Sequence, residues 1–544
     1  MVALKRTALV ILVLCSLLVS TSLKSSISVS AQTKTLIVDP RGQGTYNTIQ
    51  EAINAANSSD TVFVYNGTYS ENIFIDKSIS LIGQGKEITI IDGGQVSNVV
   101  SITAGNVTIA GFHIKNSGIS RYNSAIRMEH VSGNLIRDNI LSDSYEGVGL
   151  YTSTNNTISN NMVRDNYDGV GITASNYNVV SDNTIILSTS NGVGIYTSSS
   201  NILLNNTIYG NYDGVGLFTS NNNVVSSNNV TGNADGIGFD TSSNNVIEAN
   251  LIYANTYEGI YLASGSSDNT FFHNNFNNTR AQVVSSGSGL PNTWNFNGEG
   301  NYWSDYNGKD EDADGIGDTQ YGIDQNNKDS SPLMGAFSEH EVQLRPEHYH
   351  VYIVTNATVS EFGFEVGNET GNRIINFNAG GGEKNGFFCR LKIPKTLFNY
   401  PLTLLVGDEE VVPKLLNGSD QTASYIYFTS VNSNRTVSLI SSKTAYLLGQ
   451  LLENYMQLQI LLTAQNGTIK NILDDYNNLL DQYNQLRQEH NQLNDSYSNN
   501  LRIYFQSVDN NRNLVYIIAA ATAVLLVTTV YLSRRLHKKP SSQV

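Results

Sequence analysis

The chain lacks most of what holds a small secreted domain together or equips a soluble enzyme. Of its 544 residues two are Cys, two Trp, five Met and eight Pro, and 15% are charged. Two Cys cannot build a disulfide framework. Cys15 lies in an apolar leader, so the mature chain keeps one thiol, Cys389, and no internal disulfide. Lys and Arg are scarce: residues 32–513 carry 25 of them against 47 Asp and Glu, a balance of 25 − 47 = −22. No basic patch is dense enough for nucleic acid, which is excluded as a main partner. So acidic a surface favours cations and repels anionic polymers. HExxH, GxSxG, CxxC, P-loop and dinucleotide fingerprints are missing, and with them the chemistry each would bring. What is abundant is Asn (69) and Gly (45), residues of turns rather than helices.

The two ends predict a location. Lys5 and Arg6, the apolar run from Ala8 to Val19 and small Val29-Ser30-Ala31 before Gln32 read as a secretory signal over 1–31. Leu514 to Leu532 is a 19-residue apolar stretch, long enough to span a bilayer. Arg534, Arg535, Lys538 and Lys539 follow at once and place the tail 533–544 inside the cell. The expectation is a single-pass membrane protein with nearly all its mass outside. There, thirteen Asn-x-Ser/Thr sequons, among them Asn66, Asn106, Asn205 and Asn356, are open to glycosylation.

Between the ends a period of about 22 residues dominates. Gly147-Val-Gly-Leu-Tyr-Thr-Ser recurs at Gly169, Gly192, Gly214 and Gly236, with a sixth copy at Gly259, in steps of 22, 23, 22, 22 and 23. Two Asn columns keep the same beat, one from Asn134 to Asn269 and one from Asn139 to Asn274. A unit this short holds three strands of about four residues and no amphipathic helix. Stacked in parallel, such units pair row on row at about 4.8 Å. The Asn amide bonds to backbone at the turns and tolerates left-handed dihedrals. The fold class predicted is therefore mainly β, a right-handed parallel β-helix over 32–335. Thr48 to Ala56 reads as a capping helix, with Thr48 as N-cap and Glu51 at the capping-box position.

The opening (Thr48-Ile-Gln-Glu-Ala-Ile, Asn66-Gly-Thr-Tyr, Leu81-Ile-Gly) and the Asn-rich coils resemble the pectin-lyase-like superfamily. Within it they are most similar to NosD-type right-handed β-helix proteins, also described as carbohydrate-binding and sugar-hydrolase repeats. Gly300-Asn-Tyr-Trp-Ser-Asp-Tyr, Asp314-Gly-Ile-Gly-Asp-Thr and Pro332-Leu-Met strengthen the likeness, which covers residues 35–335. The resemblance implies the fold strongly and activity weakly. It implies a periplasmic copper-binding role, and the added stalk and anchor resemble archaeal surface proteins.

Beyond the coils, alternation such as His350-Val-Tyr-Ile-Val predicts a small β-sandwich over 336–442, with Cys389 a buried strand residue. From Leu448, Leu451 and Tyr455 to His490, Leu493 and Tyr497, steps of three and four make a seam. Thirteen of its fifteen positions are apolar or aromatic, which predicts a coiled-coil stalk over 443–505 that joins copies of the chain. A hairpin turning at Asn466-Gly467 is the alternative.

Three sets of residues carry candidate chemistry. Asp310, Asp312, Asp314 and Asp318 occupy positions 1, 3, 5 and 9 of a calcium loop, with Gly315 at 6 and the Ile316 carbonyl at 7. Position 12 is Tyr321, so Asp324 or another carboxylate must complete the shell; a solvated acidic loop is the other reading. The second set precedes each repeat Gly: Glu146, Asp168, Asn191, Asp213, Asp235 and Glu258, with Tyr145, Tyr167, Tyr212 and Tyr257 beside four of them. Rings beside carboxylates suit sugars. Carboxylates spaced about 5 Å or 10 Å apart on a coil stack bracket the separations used by glycosidases. A uniform column also reads as a repeat consensus on a solvated turn, since a catalytic site breaks a repeat at one place. The third set is His340, His348 and His350; the last two share a strand face suited to Cu(II) or Zn(II). The sequence points to a surface-anchored, non-catalytic protein that binds glycans or envelope polymers. A polysaccharide lyase or hydrolase, and copper delivery, are the rival readings.

Overall fold

The computed structural model describes residues 33–442 apart from 43, 287–289, 368–370, 382–385, 399–401 and 433, and beyond them 451–457, 470–507 and 522–530. The predicted leader 1–31, the tail 533–544 and 514–532 apart from 522–530 lie outside the described residues. Among those described, no helix is long and apolar enough to cross a membrane. The chain divides into two compact units, Met1–Ser220 and Asn221–Val544.

In the first unit each coil gives one short strand to each of three parallel sheets. One runs from Thr35–Val38 to Ile202–Leu204, the second from Gly67–Tyr69 to Thr207–Tyr209, the third from Ile73–Ile75 to Asp213–Phe218. Register advances by one repeat per row: Val148 faces Val170, Val170 faces Val193, and Val193 faces Val215. This makes a fully buried Val column inside a right-handed β-helix. The turns explain the Asn columns. The Asn161 carboxamide oxygen accepts the N–H and the Nδ2 of Asn139 at 3.0 and 3.1 Å, and Asn183 does the same for Asn161 at 2.9 and 3.0 Å. Nδ2 of Asn161 also reaches the Ile136 carbonyl at 2.9 Å. A carboxamide offers one acceptor and two donor protons at one buried point, one donor more than a hydroxyl. The residue before each of these Asn is left-handed, with φ of 56° at Asp138 and Asn160 and 57° at Asp182.

Helix Ile49–Ala55 closes the first coil, burying Ile49, Ala52 and Ile53. Thr48 Oγ1 accepts from Glu51 N–H at 3.3 Å as an N-cap should. The free N–H groups of Ile49 and Gln50 go to the Glu71 carboxylate at 2.9 and 3.0 Å.

The second unit begins with the same coils and ends in a closure that the Gly-Asn-Tyr-Trp segment builds. Asn301 takes over the ladder, accepting from Asn274 N–H and Nδ2 at 3.1 and 2.9 Å. Trp303 stacks between Phe276 and Tyr321, and its Nε1 donates to buried Asp329 at 3.0 Å. A Cβ on Gly300 would sit 2.0 Å from that Asp329 carboxylate, so only Gly fits. Next come two five-stranded antiparallel sheets sharing one core, with Val351, Ile353, Leu391 and Cys389 from one and Ile375, Phe377, Val437 and Leu439 from the other. Asn275 fastens the sandwich to the coils, its Nδ2 donating to the Phe337 carbonyl at 2.8 Å and its Oδ1 accepting Phe337 N–H at 2.7 Å.

The seam beyond the sandwich departs from the expectation of one straight stalk. Lys470–Ser507 is a 38-residue helix. Yet Tyr476 stacks on Tyr455 with ring centroids 3.9 Å apart. A continuous helix would part these residues by about 31 Å at 1.5 Å per residue. The two rings are thus too close for one straight helix, a closeness that the hairpin alternative allows; 443–450 and 458–469, with Asn466-Gly467, lie outside the described residues. Leu479 and Leu493 on the long helix stay exposed.

Candidate functional site

The acidic column is internal in its first three rows, Glu146, Asp168 and Asn191. Glu146, in strand Glu146–Tyr151, is 3% exposed and Asp168 6%. The Glu146 side chain lies across two glycines: a Cβ on Gly149 would meet its Oε2 at 2.3 Å, and one on Gly171 its Oε1 at 2.8 Å. This explains Gly149 and Gly171; Gly194 and Gly216 instead lie under the rings of Tyr196 and Phe218, and Gly238 is open. Glu146 accepts from Tyr151 Oη at 2.5 Å and from Ser124 Oγ at 2.8 Å. Burial outweighs these bonds and pushes the Glu146 carboxyl up to about 7. Asp168 Oδ1 accepts the N–H and Nδ2 of Asn191 at 2.9 and 3.2 Å, and Asn191 Nδ2 reaches Tyr196 Oη at 2.9 Å. Asp213, Asp235 and Glu258 are half-buried. Burial and the neighbouring Asp235 push Glu258 above the usual carboxylate range, with Arg280 at 3.7 Å. At Glu146 and Asp168 the column is thus neither a solvated turn nor an open carboxylate row, whereas Asp213, Asp235 and Glu258 keep part of their surface open.

The tyrosines stand outside it. Tyr167, Tyr212 and Tyr257 are exposed, and Tyr145 and Tyr167 stack with centroids 4.6 Å apart. Beside this pair opens a cavity of about 220 Å³, lined by the pair with Asp143 and Asp165 and by Ser117, Gly118 and Ile119. The last two come from a break in the period. Ser124 pairs with Glu146, and Ser117 N–H bonds to Ser144 Oγ, so the two corners are equivalent. Seven positions separate Ser117 from Ser124 and two separate Ser144 from Glu146, an excess of 7 − 2 = 5 residues. Sequence reading missed this loop because the Asn columns begin one coil later.

The acidic loop is drawn together. One carboxylate oxygen from each of Asp310, Asp312 and Asp314 lies within 4.8 Å of the others. Asp310 accepts the N–H groups of Asp314 and Gly315 at 3.0 and 2.8 Å; Asp318 instead turns to Glu311 N–H at 2.6 Å. Gly315 has φ of 86°, and a Cβ there would touch Arg390 at 3.0 Å. The Ile316 side chain packs on Leu333, Phe337 and Val354 at the junction with the sandwich. Two sandwich cations hold the loop backbone: Arg390 Nη1 donates to the Asp314 carbonyl at 2.7 Å, and Lys414 Nζ to the carbonyls of Asp312 and Ala313. Arg390 also pairs with buried Glu299 at 2.7 Å, which His273 Nε2 meets at 2.8 Å. No motif announced that triad, whose members stand up to 117 positions apart in sequence (390 − 273).

The three His do not converge. His348 and His350 are exposed on one face of the hairpin Ala336–Leu344/Glu347–Thr355, bonded to Glu341 and Glu339. His340 alternates to the other face, stacked on Phe362 and bonded to Ser338 Oγ at 3.0 Å.

Comparisons with known proteins fit this architecture. The family described as right handed beta helix region matches residues 97–234, periplasmic copper-binding protein (NosD) matches 187–308, and pectinesterase matches 35–136. A probable ABC transporter binding protein NosD of Pseudomonas aeruginosa is 45% identical over 69 residues, 13% of this chain and 16% of that protein. A cell surface glycoprotein of Methanothermus fervidus is 33% identical over 103 residues, 19% of this chain and 16% of that protein. The chain thus matches only about a sixth of the length of either relative. Among solved structures, the mannuronan C-5 epimerase A-module of Azotobacter vinelandii has 16% identity and a TM-score of 0.34, covering 47% of this chain and 88% of its own. Pectate lyase Pel9A has 14% identity and a TM-score of 0.34, covering 48% and 79%. The family matches and the chain's own strand order support a place among right-handed β-helix proteins.

Proposed function

We propose that this is a non-catalytic cell-surface protein whose β-helix binds glycans or envelope polymers at the tyrosine corner. One observation carries the reading: half-buried Tyr145 and exposed Tyr167 stack at the border of a cavity, while Glu146 and Asp168 are committed to internal bonds. Aromatic faces stack on the C–H faces of sugars, and nearby oxygens take their hydroxyls. A buried, bonded carboxyl such as Glu146 is poorly placed for general acid–base work on a polymer, which must reach the group directly or through one water. The surface location draws on the apolar ends of the sequence and on the cell surface glycoprotein relative. A glycan array probed with the full chain tests the function; loss of signal in Tyr167→Ala is the expected result, and a blank array overturns it.

In the same reading, the Asp310, Asp312 and Asp314 cluster holds calcium at the foot of the sandwich, since hard cations choose carboxylate oxygen. Copper fits the matched NosD segment poorly. Residues 187–308 contain no Cys or Met and a single His, His273, which Glu299 and Phe337 already engage. Copper sites draw on imidazole, thiolate and thioether. Outside that segment, exposed His348 and His350 are the residues to which a Cu(II) titration should be directed.

A further inference from the structure

We infer that the inserted loop Gly118–Tyr122 shapes the corner cavity into a pocket for one sugar residue that carries no carboxylate, with Ile119 setting that selectivity. This rests on the glycan reading above and names its ligand class. Neighbouring coils turn this corner without the five extra residues, so the loop is not needed to close the helix. It is nevertheless held firmly. Gly118 N–H donates to the Ser97 carbonyl at 2.8 Å and Asn123 N–H to Ser120 at 3.0 Å. A Cβ on Gly118 would lie 2.3 Å from Asn123 Nδ2 and 2.9 Å from the Val96 carbonyl, so the loop lies flat only with Gly there. On this fixed loop Ile119 is 85% exposed beside the cavity, an apolar side chain that the fold itself leaves uncovered.

The rest of the lining supplies the complementary chemistry. Tyr145 and Tyr167 offer a ring pair, and Asp143 and Asp165 sit at equivalent turns one row apart, with φ of 52° and 57°. Carboxylates accept only, so they select O–H or N–H donors and repel an anionic ring. Of the nearby cations, Arg164 is paired with Asp165, and Arg121 of the loop lies over the Tyr122 ring at 4.8 Å. A volume of about 220 Å³ is below the roughly 300–1,000 Å³ of sites for drug-sized ligands, and admits one ring rather than a chain. Apolar Ile119 presents no cation to a uronate. The ligand is a neutral or an amino sugar, which share the donor chemistry.

Calorimetry on the full chain with a neutral glucan oligosaccharide, a chitosan oligosaccharide and an oligoguluronate of equal length tests the inference. The neutral or amino probe should bind and the uronate should not. Asp143→Asn should weaken chitosan more than the glucan if the amino sugar is the ligand, and both equally if the neutral one is. Ile119→Lys, on the surface and with unchanged melting, should weaken the favoured probe at least tenfold and admit the uronate. Wild type taking the uronate as tightly as the others, or Ile119→Lys leaving all three affinities unchanged, overturns the pocket. If binding then vanishes in Tyr212→Ala, the glycan reading survives elsewhere on the tyrosine row. If none of the probes binds and the array is blank, both fall.

Discussion

Replacing Glu299 with Gln should loosen one junction and spare the remaining coils. Its carboxylate accepts from Arg390 Nη2 at 2.7 Å, Arg390 Nε at 3.2 Å and His273 Nε2 at 2.8 Å. Burial alone would raise its pKa; the imidazole and the guanidinium overcome that and hold it at about 2. Since the folded value lies below the unfolded 4.5, the stabilisation is present above pH 4.5 and is lost as pH falls towards 2. At 1.36 kcal/mol per unit, the shift corresponds to about 3 kcal/mol. Removing one partner of a buried pair costs about 3–5 kcal/mol by experience, a consistent figure, because Arg390 at 8% side-chain exposure would lose its counter-charge. The assay is built in. Trp294 and Trp303, the two Trp of the chain, are each 1% exposed in the terminal closure, so tryptophan emission during urea unfolding reports this region. Glu299→Gln should lower the urea midpoint at pH 7 and flatten the loss of stability that wild type shows between pH 4.5 and 2.5. A wild-type midpoint together with an unchanged acid slope would refute the reasoning.

Other expectations follow from the same geometry. Asn183→Ala removes the acceptor for Asn161 N–H and Nδ2 and the donor to the Ile158 carbonyl. At about 1–3 kcal/mol per stranded buried group it should cost at least about 3 kcal/mol in thermal unfolding, and a loss below about 1 kcal/mol would contradict the ladder account. If the acidic loop binds calcium, chelation should lower the melting temperature and expose 308–318 to protease by mass action, and Asp312→Asn should abolish the difference. No change on chelation would exclude that site. In a Cys15→Ser chain, cysteines at Tyr455 and Tyr476 should cross-link within one chain, since burial pushes the remaining Cys389 thiol up to about 12 and leaves it inert. Cross-links solely between chains would restore the straight stalk. We also expect self-association through the exposed Leu479 side of the long helix, lost on replacing Leu479 and Leu486 with polar residues; a monomer at tens of micromolar by sedimentation counts against it.

The β-helix was legible because its determinants are local and repeated. One Asn per turn, one left-handed residue before it and one apolar residue two positions after it suffice to specify a row, and the period multiplies the signal. Thr48 as N-cap was legible for the same reason. The partner of the helix N-terminus was not, since Glu71 acts through space where sequence suggested Glu51. The burial of Glu146 and Asp168 was not legible because a carboxylate beside Gly reads as a turn. Whether it lies over that Gly depends on the neighbouring row, as Glu146 does over Gly171. The seam failed differently. Steps of three and four fit a long coiled coil and a hairpin equally, and Asn466-Gly467 was the sole sequence cue between them.

Periodicity also says where recognition can reside. In a stack of equivalent rows, a side chain at a repeated position meets its own copies 4–5 Å away, so polar groups there satisfy one another. Asn139, Asn161 and Asn183 do this, and so do Asp168 and Asn191. Such columns stabilise the coil and leave little bonding capacity for a ligand. Capacity remains where the copy is absent. Ile119 has no counterpart in the next row, since the coil that follows turns from Ser144 to Glu146 with Tyr145 alone between them. Asp143 and Asp165 are copies of one another, but at the left-handed residue both are exposed, Asp143 accepting from Ser142 Oγ at 2.6 Å and Asp165 paired with Arg164. The same logic applies at the end of the stack, where Glu299 finds no further coil and takes Arg390 from the sandwich instead. Interruptions of the repeat, and repeated positions exposed outside the ladders, are therefore where substitution should alter binding while leaving the fold intact.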